Sequence, residues 1–211
     1  MRSLNMAIEA LANIIIANKE KLTEIDAAIG DADHGINMAR GFEAVRAKVA
    51  ANTNDDIGAV LKMVGVTLIS TVGGASGPLY GTAFMRAALA AQGKKTVDGE
   101  LAEKMFAAAI AGIKERGKAV RGEKTMLDAL EPAYDALTQG LASRKSLAEC
   151  LEMASSAALA GVEYTKTIIA TKGRASYLGE RSLGHQDAGA TSSYLMLTVL
   201  AEIAQNLGRE E

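Results

Sequence analysis

The chain has 211 residues, of which 49% are hydrophobic and 23% charged, and its formal net charge is −2 at pH 7. This length suffices for one domain with a substantial core, so we expect a single domain over residues 1–211. Lys and Arg are not in excess over Asp and Glu, which argues against nucleic-acid binding. The one cysteine excludes an intramolecular disulfide and a zinc site built from several cysteines.

The composition favours helices. Two prolines, no tryptophan and 4% aromatic residues are unfavourable for a β-sheet, whereas abundant alanine suits closely packed helices. The apolar run at residues 14–16 is too short for a signal peptide, and no stretch approaches the roughly 18 apolar residues of a membrane span. We therefore expect a cytoplasmic protein that does not contact a membrane.

Apolar residues recur at three- and four-residue spacing in eight blocks. The predicted helices are Leu4–Leu22, Ile36–Val49, Asp55 to before Gly73, Ser76–Gly93, Asp98–Gly117, Thr125–Leu141, Ser146–Ile169 and Ala190–Leu207. We expect the Ser76 side chain to cap the fourth helix, and Pro132 to break or kink the sixth. Eight helices with short connections predict an all-α fold, either an up-and-down bundle or a closed helical barrel.

An acidic segment between the first two blocks is the densest cluster of polar groups. Asp26, Asp31 and Asp33 lie within eight residues, and two glycines at positions 30 and 35 bracket a loop that could bend Asp31 towards the other two. Three carboxylates without a cysteine predict a hard cation, Mg²⁺ or Mn²⁺. The alternative is that these residues only cap the helix that follows.

Two further segments are candidates for binding an anion. The glycine-rich stretch 73–81 leads into a helix, so its backbone N–H groups and the Ser76 hydroxyl predict an anion site; a tight turn between helices is the alternative. The connection 173–189 carries Arg174 and Arg181, which suit phosphate oxygens, although an ion-paired surface loop is also open. Together with the aspartates, these segments predict a Mg²⁺-nucleotide site on a helical frame.

These motifs, Gly30–Gly35, Gly73–Pro78 and Gly173–Arg181 with the Gly-His-Gln-Asp at 184–187, resemble those of the nucleotide-binding L subunits of bacterial dihydroxyacetone kinases, in order along the whole chain. The resemblance implies an eight-helix antiparallel barrel with ADP or ATP at one end. It implies two Mg²⁺ ions held by Asp26, Asp31 and Asp33. It also implies nucleotide contacts from His34, Gly35, Ile36, Asn37, Ala75, Ser76, Gly117, Met126, Arg174, Asp187, Ala188 and Gly189.

The resemblance also implies a function. In such phosphotransferase-dependent systems, bound ADP is rephosphorylated in place by a phosphohistidine-carrying M subunit, and the ATP formed phosphorylates dihydroxyacetone on a separate K subunit. Two alternatives stay open: a subunit that uses free ATP with dihydroxyacetone or another short ketose, and a nucleotide-loaded regulatory module without turnover. A homodimer is also open. One departure is visible, because the family usually has Asp-Pro-Gly where this chain has Asp187, Ala188 and Gly189.

Overall fold

The computed structural model describes residues 2–207, and these form nine α-helices and one 3₁₀ helix with no strand among them. The α-helices are α1 (Arg2–Ala17), α2 (Lys19–Ile29), α3 (His34–Ala50), α4 (Ile57–Thr71), α5 (Ser76–Ala90), α6 (Gly99–Gly117), α7 (Leu127–Ala142), α8 (Leu147–Thr165) and α9 (Ala188–Leu207). The 3₁₀ helix, Arg174–Ser182, lies between α8 and α9 and is kinked at Gly179, which has φ 56°.

Eight of the helices form a closed ring in the order α1, α3, α4, α5, α6, α7, α8 and α9, and α9 packs back against α1. Neighbouring helices run in opposite directions. For example, the Asn5 and Asn52 side chains bond to each other where α1 begins and α3 ends, whereas Arg46 bonds to Asn13 nearer the other end. The predicted all-α fold, an eight-helix antiparallel barrel, is confirmed.

The first predicted helix differs from the observed one. The segment divides at Asn18, whose side-chain amide donates to the Ile14 carbonyl oxygen and so competes with regular helix hydrogen bonding. A second helix, α2, then continues to Ile29, seven residues beyond the predicted end. Ile29 is buried against Ala170 and Ala175, so α2 is held by the connection between α8 and α9.

Three other expectations differ from the structure. The side chain of Ser76 does not cap α5, because Ala75 is the N-cap residue and no side-chain cap bond is made. Pro132 does not break the helix, because α7 continues through it, so of the two expectations only a kink stays open; α8 ends at Thr165 instead of Ile169. The 3₁₀ helix was not predicted, because a tight helix of this kind leaves no 3.6-residue apolar repeat in the sequence.

The antiparallel ring brings four helix N-termini, those of α3, α5, α7 and α9, to the same end of the barrel. The core below them is apolar, and its largest fully buried side chains include Phe42, Leu68, Leu127 and Leu137. Helix N-termini carry partial positive charge, so this end is suited to anions. No helix within residues 2–207 has the length and apolar character needed to cross a lipid bilayer.

Candidate functional site

A cavity of about 840 Å³ opens at the end of the barrel where the four helix N-termini meet. Its walls come from the segments that follow α2, α4, α6 and α8. Most of the residues predicted from the sequence line it, namely Asp26, Asp31, Asp33, His34, Ala75, Ser76, Gly117, Met126, Arg174, Asp187, Ala188 and Gly189. Segments far apart in the sequence therefore converge on one cavity.

Three predicted nucleotide contacts lie outside the cavity lining, on the first turn of α3. Asn37 is buried, and its Oδ1 accepts a hydrogen bond from Arg40 at 2.8 Å. A Cβ atom at Gly35 would lie 2.1 Å from the Lys19 carbonyl oxygen, so this glycine allows α2 and α3 to pack closely. Ile36 is 47% exposed. These three residues stay predictions.

The three aspartates form a compact acidic cluster, in which one carboxylate oxygen from each lies within 4.8 Å of the others. Asp26 comes from α2, and its Oδ2 accepts hydrogen bonds from the backbone N–H groups of Asp33 (2.9 Å) and His34 (3.2 Å). Asp26 therefore caps the start of α3 as well as belonging to the cluster. The capping interpretation of the sequence therefore applies to Asp26, and cation binding by this residue stays a prediction.

The sequence suggested that Gly30 and Gly35 allow the loop to bend, but the bend between Asp31 and Asp33 is made by another residue. The left-handed residue is Ala32, with φ 61°, whereas Gly30 has φ −130°. Gly30 is needed for space, because a Cβ atom there would lie 2.1 Å from Asp26 Oδ1. The loop is thus built around the Asp26 carboxylate.

The donor set of the cluster fits a divalent cation. Three carboxylates and no sulfur ligand are typical of Mg²⁺ sites, and Mg²⁺ is commonly held by one or two carboxylates together with phosphate oxygens. The cluster also attracts a positively charged side chain, because the guanidinium of Arg174 forms an ion pair with Asp31. The residues therefore fit the metal that the sequence predicts.

His34 lies below the cluster in a buried hydrogen-bond network. Its Nδ1 is bonded to Ser76 Oγ at 3.0 Å and its Nε2 to Ser192 Oγ at 2.9 Å. Burial lowers the pKa of His34 to about 4, and the charge of Asp26 opposes this only in part. The imidazole is therefore neutral at pH 7, and it links the N-terminal turns of α3, α5 and α9.

Tyr80 continues this network into the barrel. Its hydroxyl donates to the Gly189 carbonyl oxygen at 3.0 Å and is bonded to Ser192 Oγ at 2.7 Å. Burial raises the pKa of Tyr80 to about 12, so the phenol stays protonated. It joins the glycine-rich segment to the turn that carries Asp187 and Gly189.

Asp187 ends the connection that precedes α9 and caps that helix. Its Oδ2 accepts from the Ala190 N–H at 2.7 Å, and its own N–H donates to Thr165 Oγ1 at 3.0 Å. Burial is the main reason that the pKa of Asp187 is raised to about 7, and the neighbouring Asp128 charge acts in the same direction. The nearby Lys124 charge opposes the shift.

Several residues at the site were missed by sequence reasoning. Tyr80 lies inside the glycine-rich segment and was not assigned a role, and Ser192 lies in an ordinary helical stripe. Lys124 lines the cavity with an almost fully buried side chain. A lysine two residues after a glycine predicts an exposed loop, so no signal in one sequence could have identified Lys124.

Comparisons with known proteins agree with this geometry. A family model described as a DAK2 domain matches residues 28–202. The ADP-binding subunit DhaL of PEP-dependent dihydroxyacetone kinase from Escherichia coli K12 is 49% identical over 193 residues, covering 92% of each chain. L-erythrulose kinase from Pectobacterium atrosepticum is 33% identical, over 93% of this chain but only 34% of its own length.

A solved structure supports the same relationship. The dihydroxyacetone kinase of C. freundii in complex with AMP-PNP and Mg²⁺ aligns with a TM-score of 0.72 and 26% identity, over 96% of this chain and 34% of its own. The relatives are named as kinases or kinase subunits. From the extent of the domain match and the identity to these relatives, the chain belongs to the family of DAK2-domain proteins.

Proposed function

We propose that this chain is the nucleotide-binding subunit of a dihydroxyacetone kinase. In this proposal, Mg²⁺-bound ADP stays in the cavity, is rephosphorylated in place by a phosphohistidine-carrying M subunit, and as ATP phosphorylates dihydroxyacetone on a K subunit. The observation that carries the proposal is the convergence of three carboxylates within 4.8 Å at the mouth of the cavity. The names of relatives such as E. coli DhaL support it.

Asp26, Asp31 and Asp33 would hold two Mg²⁺ ions. Bound Mg²⁺ neutralises charge on phosphate oxygens, which is a large part of what phosphoryl transfer requires. The chain's own contribution begins with alignment, because the backbone bonds from Asp33 and His34 fix the Asp26 carboxylate. The left-handed Ala32 then directs Asp31 back to it.

The remaining cavity residues would bind the nucleotide. The volume of about 840 Å³ lies within the range of roughly 300 to 1,000 Å³ that is typical of small-molecule sites. Phosphates suit the helix N-termini at Ser76 and Ala188, and Arg174 would contact phosphate oxygens. Gly117 and Met126 also line the cavity, and both would contact the nucleotide.

No covalent nucleophile is needed in this chain, because phosphoryl transfer depends on positioning and charge stabilisation. The donor phosphohistidine and the acceptor sugar would both come from partner subunits, which would approach the open end of the barrel in turn. The neutral His34 would not accept a phosphoryl group, because both ring nitrogens are engaged by Ser76 and Ser192.

A second candidate function keeps the site but changes the donor and the acceptor. Free ATP would bind, react and leave as ADP, with a short ketose as the acceptor. The 33% identity to L-erythrulose kinase favours this alternative, although the chain spans about a third of that protein. The two functions differ in whether the nucleotide remains bound between turnovers.

The test is nucleotide retention. The protein is purified, desalted in Mg²⁺ buffer with or without EDTA, and its nucleotide is identified by mass and absorbance. ADP that survives in Mg²⁺ and leaves in EDTA supports the resident-cofactor proposal. Asp33→Asn should lose it, whereas Asp55→Asn, which alters a carboxylate paired with Lys95 at the far end of the barrel, should keep it.

The other outcomes are also informative. Exchangeable Mg²⁺-dependent binding of ATP points to the ATP-using alternative. Retained ADP that no phosphohistidine donor converts to ATP points to the regulatory module without turnover. If neither ADP nor ATP binds, the proposed function is wrong.

A further inference from the structure

The buried ammonium of Lys124 is the feature that the proposed function does not use. Its side chain is 1% exposed, and the three N–H groups of Nζ face the backbone carbonyl oxygens of Thr165 (2.5 Å), His185 (2.6 Å) and Ser182 (2.7 Å), with that of Ile168 farther away at 3.3 Å. Within residues 2–207, no carboxylate lies within salt-bridge distance of Nζ. A buried lysine bonded only to carbonyl groups is uncommon and costly unless its environment stabilises the charge.

One helix end and one short turn supply that stabilisation. Thr165 is the last residue of α8, and Ser182 ends the short 3₁₀ turn that follows a kink at Gly179. The carbonyl oxygens at a helix C-terminus lack partners within the helix and carry partial negative charge. The Lys124 ammonium therefore satisfies oxygens that would otherwise be buried without a donor, and burial lowers its pKa while the charges of Asp187 and Asp128 oppose that change.

Three of the four carbonyl groups belong to one segment and lie near its two ends, and the fourth, that of Thr165, directly precedes it. We call residues 166–187 the lid segment; it connects α8 to α9 and carries Arg174 on its 3₁₀ helix. Thr165 and Ile168 mark its start, whereas Ser182 and His185 lie near its end. A single atom thus joins both ends of the lid segment.

The backbone of Lys124 is also fixed by hydrogen bonds of the neighbouring residues. Its backbone adopts φ 62°, a left-handed conformation that is rare for residues with a Cβ atom. The flanking amides of Gly122 (2.5 Å) and Thr125 (2.7 Å) donate to the two carboxylate oxygens of Asp128, which is fully buried. The strained turn is therefore imposed by the start of α7, and it directs the side chain beneath the lid segment.

We infer that Lys124 is a positioning residue that holds the lid segment, and with it Arg174, over the cavity, and that it thereby sets how long a nucleotide stays bound. The dependence on nucleotide rests on the proposed function. Lys124 acts through Arg174, whose guanidinium reaches Asp31 in the acidic cluster. The role in holding the lid segment rests on the protein contacts alone.

The first test needs no nucleotide. Lys124→Met retains most of the side-chain length but removes the ammonium. We expect amide hydrogen exchange in residues 170–182 to become about tenfold faster or more, and trypsin to cleave faster after Lys172, Arg174 and Arg181. The control is Leu137→Ala, a core change on α7 that lowers overall stability without touching the lid segment. Equal exchange in both variants would overturn the inference.

The second test follows release of a fluorescent ADP analogue, mant-ADP, bound with Mg²⁺ and chased with excess ADP. Lys124→Met should speed release about tenfold or more, whereas Leu137→Ala should not. In an Arg174→Ala background the same Lys124 change should have little further effect, because residues acting through one another are not additive. Additive effects, or unchanged release from folded Lys124→Met, would overturn the inference.

Rescue separates a missing ammonium from a damaged fold. Lys124→Ala with added ethylammonium should regain slow exchange in the lid segment, and Arg174→Ala should show no such response. If Lys124→Met does not fold, Lys124→Gln, which keeps two N–H donors, replaces it in both tests. If the wild-type protein does not bind mant-ADP, the proposed function fails, and the exchange experiment alone decides the role of Lys124.

Discussion

Arg174 Nε lies 2.5 Å from Asp31 Oδ2, so the lid segment and the acidic cluster are joined by one ion pair. The side chains are 67% and 37% exposed, and such pairs contribute little to stability. The pair instead offsets the mutual repulsion of three carboxylates. With a cation and a phosphate bound, Asp31 would serve the cation and Arg174 the phosphate, so the ion pair marks where both groups would meet.

The first prediction concerns this pair. Arg174→Ala should weaken Mg²⁺-ADP binding by roughly tenfold to a hundredfold, because a charge-assisted hydrogen bond to phosphate is lost. The melting temperature of the ligand-free protein should change little, since the pair is exposed. Calorimetric titration and thermal unfolding measure the two effects. Arg121→Ala, which removes an exposed pair with Asp135, is the control; equal affinities in both variants would exclude Arg174 from the phosphate site.

The second prediction separates the two roles of Asp26. Asp26→Ala should lower the free energy of unfolding by about 1 to 2 kcal/mol, because two backbone N–H groups lose their acceptor. Asp33→Asn should leave stability unchanged or higher without metal, since its carboxylate makes no cap bond and charge repulsion falls. Both variants should lose Mg²⁺-dependent nucleotide binding. Urea unfolding in EDTA tests the contrast, and equal stabilities would contradict it.

The sequence allowed an all-α fold of antiparallel helices to be predicted because helical period and short connections are local properties, whereas the choice of a barrel over a bundle came from the resemblance. Eight apolar blocks correspond to the eight helices of the ring, although Asn18 divides the first. The aspartates could be associated because they lie within eight residues of one another. Arg174 was reached through residue type and resemblance, and its contact with Asp31 depends on how the chain folds.

The rest could not be predicted because it depends on pairs that are far apart in the chain. Lys124 is bonded to carbonyl groups 41 to 61 residues away, and carbonyl groups leave no mark in a sequence. His34 meets Ser192 across 158 residues. Ala32 adopts a left-handed conformation, whereas Gly30 is required because the Asp26 carboxylate leaves no room for a Cβ atom there.

The third prediction concerns acid stability. Because His34 has a folded pKa of about 4 against an ordinary 6.5, the unfolded chain binds the proton more readily. The neutral, buried His34 side chain makes its full contribution to the free energy of unfolding above pH 6.5. This contribution, on the order of 3 kcal/mol, is lost as the pH falls towards 4. The stability gap between wild type and His34→Gln should therefore narrow from pH 7.5 to 4.5. Urea unfolding in EDTA measures the gap, and a constant gap would contradict the prediction.

The fourth prediction concerns Asp187, whose effect on stability changes with pH in the direction opposite to that of His34. Asp187 has a folded pKa of about 7 against an ordinary 3.8, so the folded chain binds the proton more readily. Its contribution to stability is complete below pH 3.8 and is lost as the pH rises to about 7. Asp187→Asn keeps an oxygen that can accept a hydrogen bond from the Ala190 N–H. The free energy of unfolding of this variant should therefore rise relative to that of the wild type as the pH rises from 4.5 to 7.5. The check is again urea unfolding without metal, where parallel profiles would rule out this titration.

The fifth prediction concerns the departure from Asp-Pro-Gly at Ala188. This residue is the first of α9, the position where proline is favoured because its missing N–H is not needed. Ala188→Pro should raise the free energy of unfolding by about 0.4 to 1 kcal/mol by restricting the unfolded chain, and should slow nucleotide release by stiffening the Asp187 turn. Thermal unfolding and mant-ADP release measure these effects.

A matched proline change two residues later gives the contrast for Ala188. The Ala190 N–H donates to Asp187 Oδ2 at 2.7 Å, and Ala190→Pro removes that donor from a carboxylate that burial already disfavours as an anion. It should lower stability by about 1 to 2 kcal/mol, as the loss of a helix cap does. If Ala188→Pro and Ala190→Pro both lower the stability, the backbone at Ala188 does not have the conformation that proline requires. The pyrrolidine ring would then not fit at position 188 of this chain.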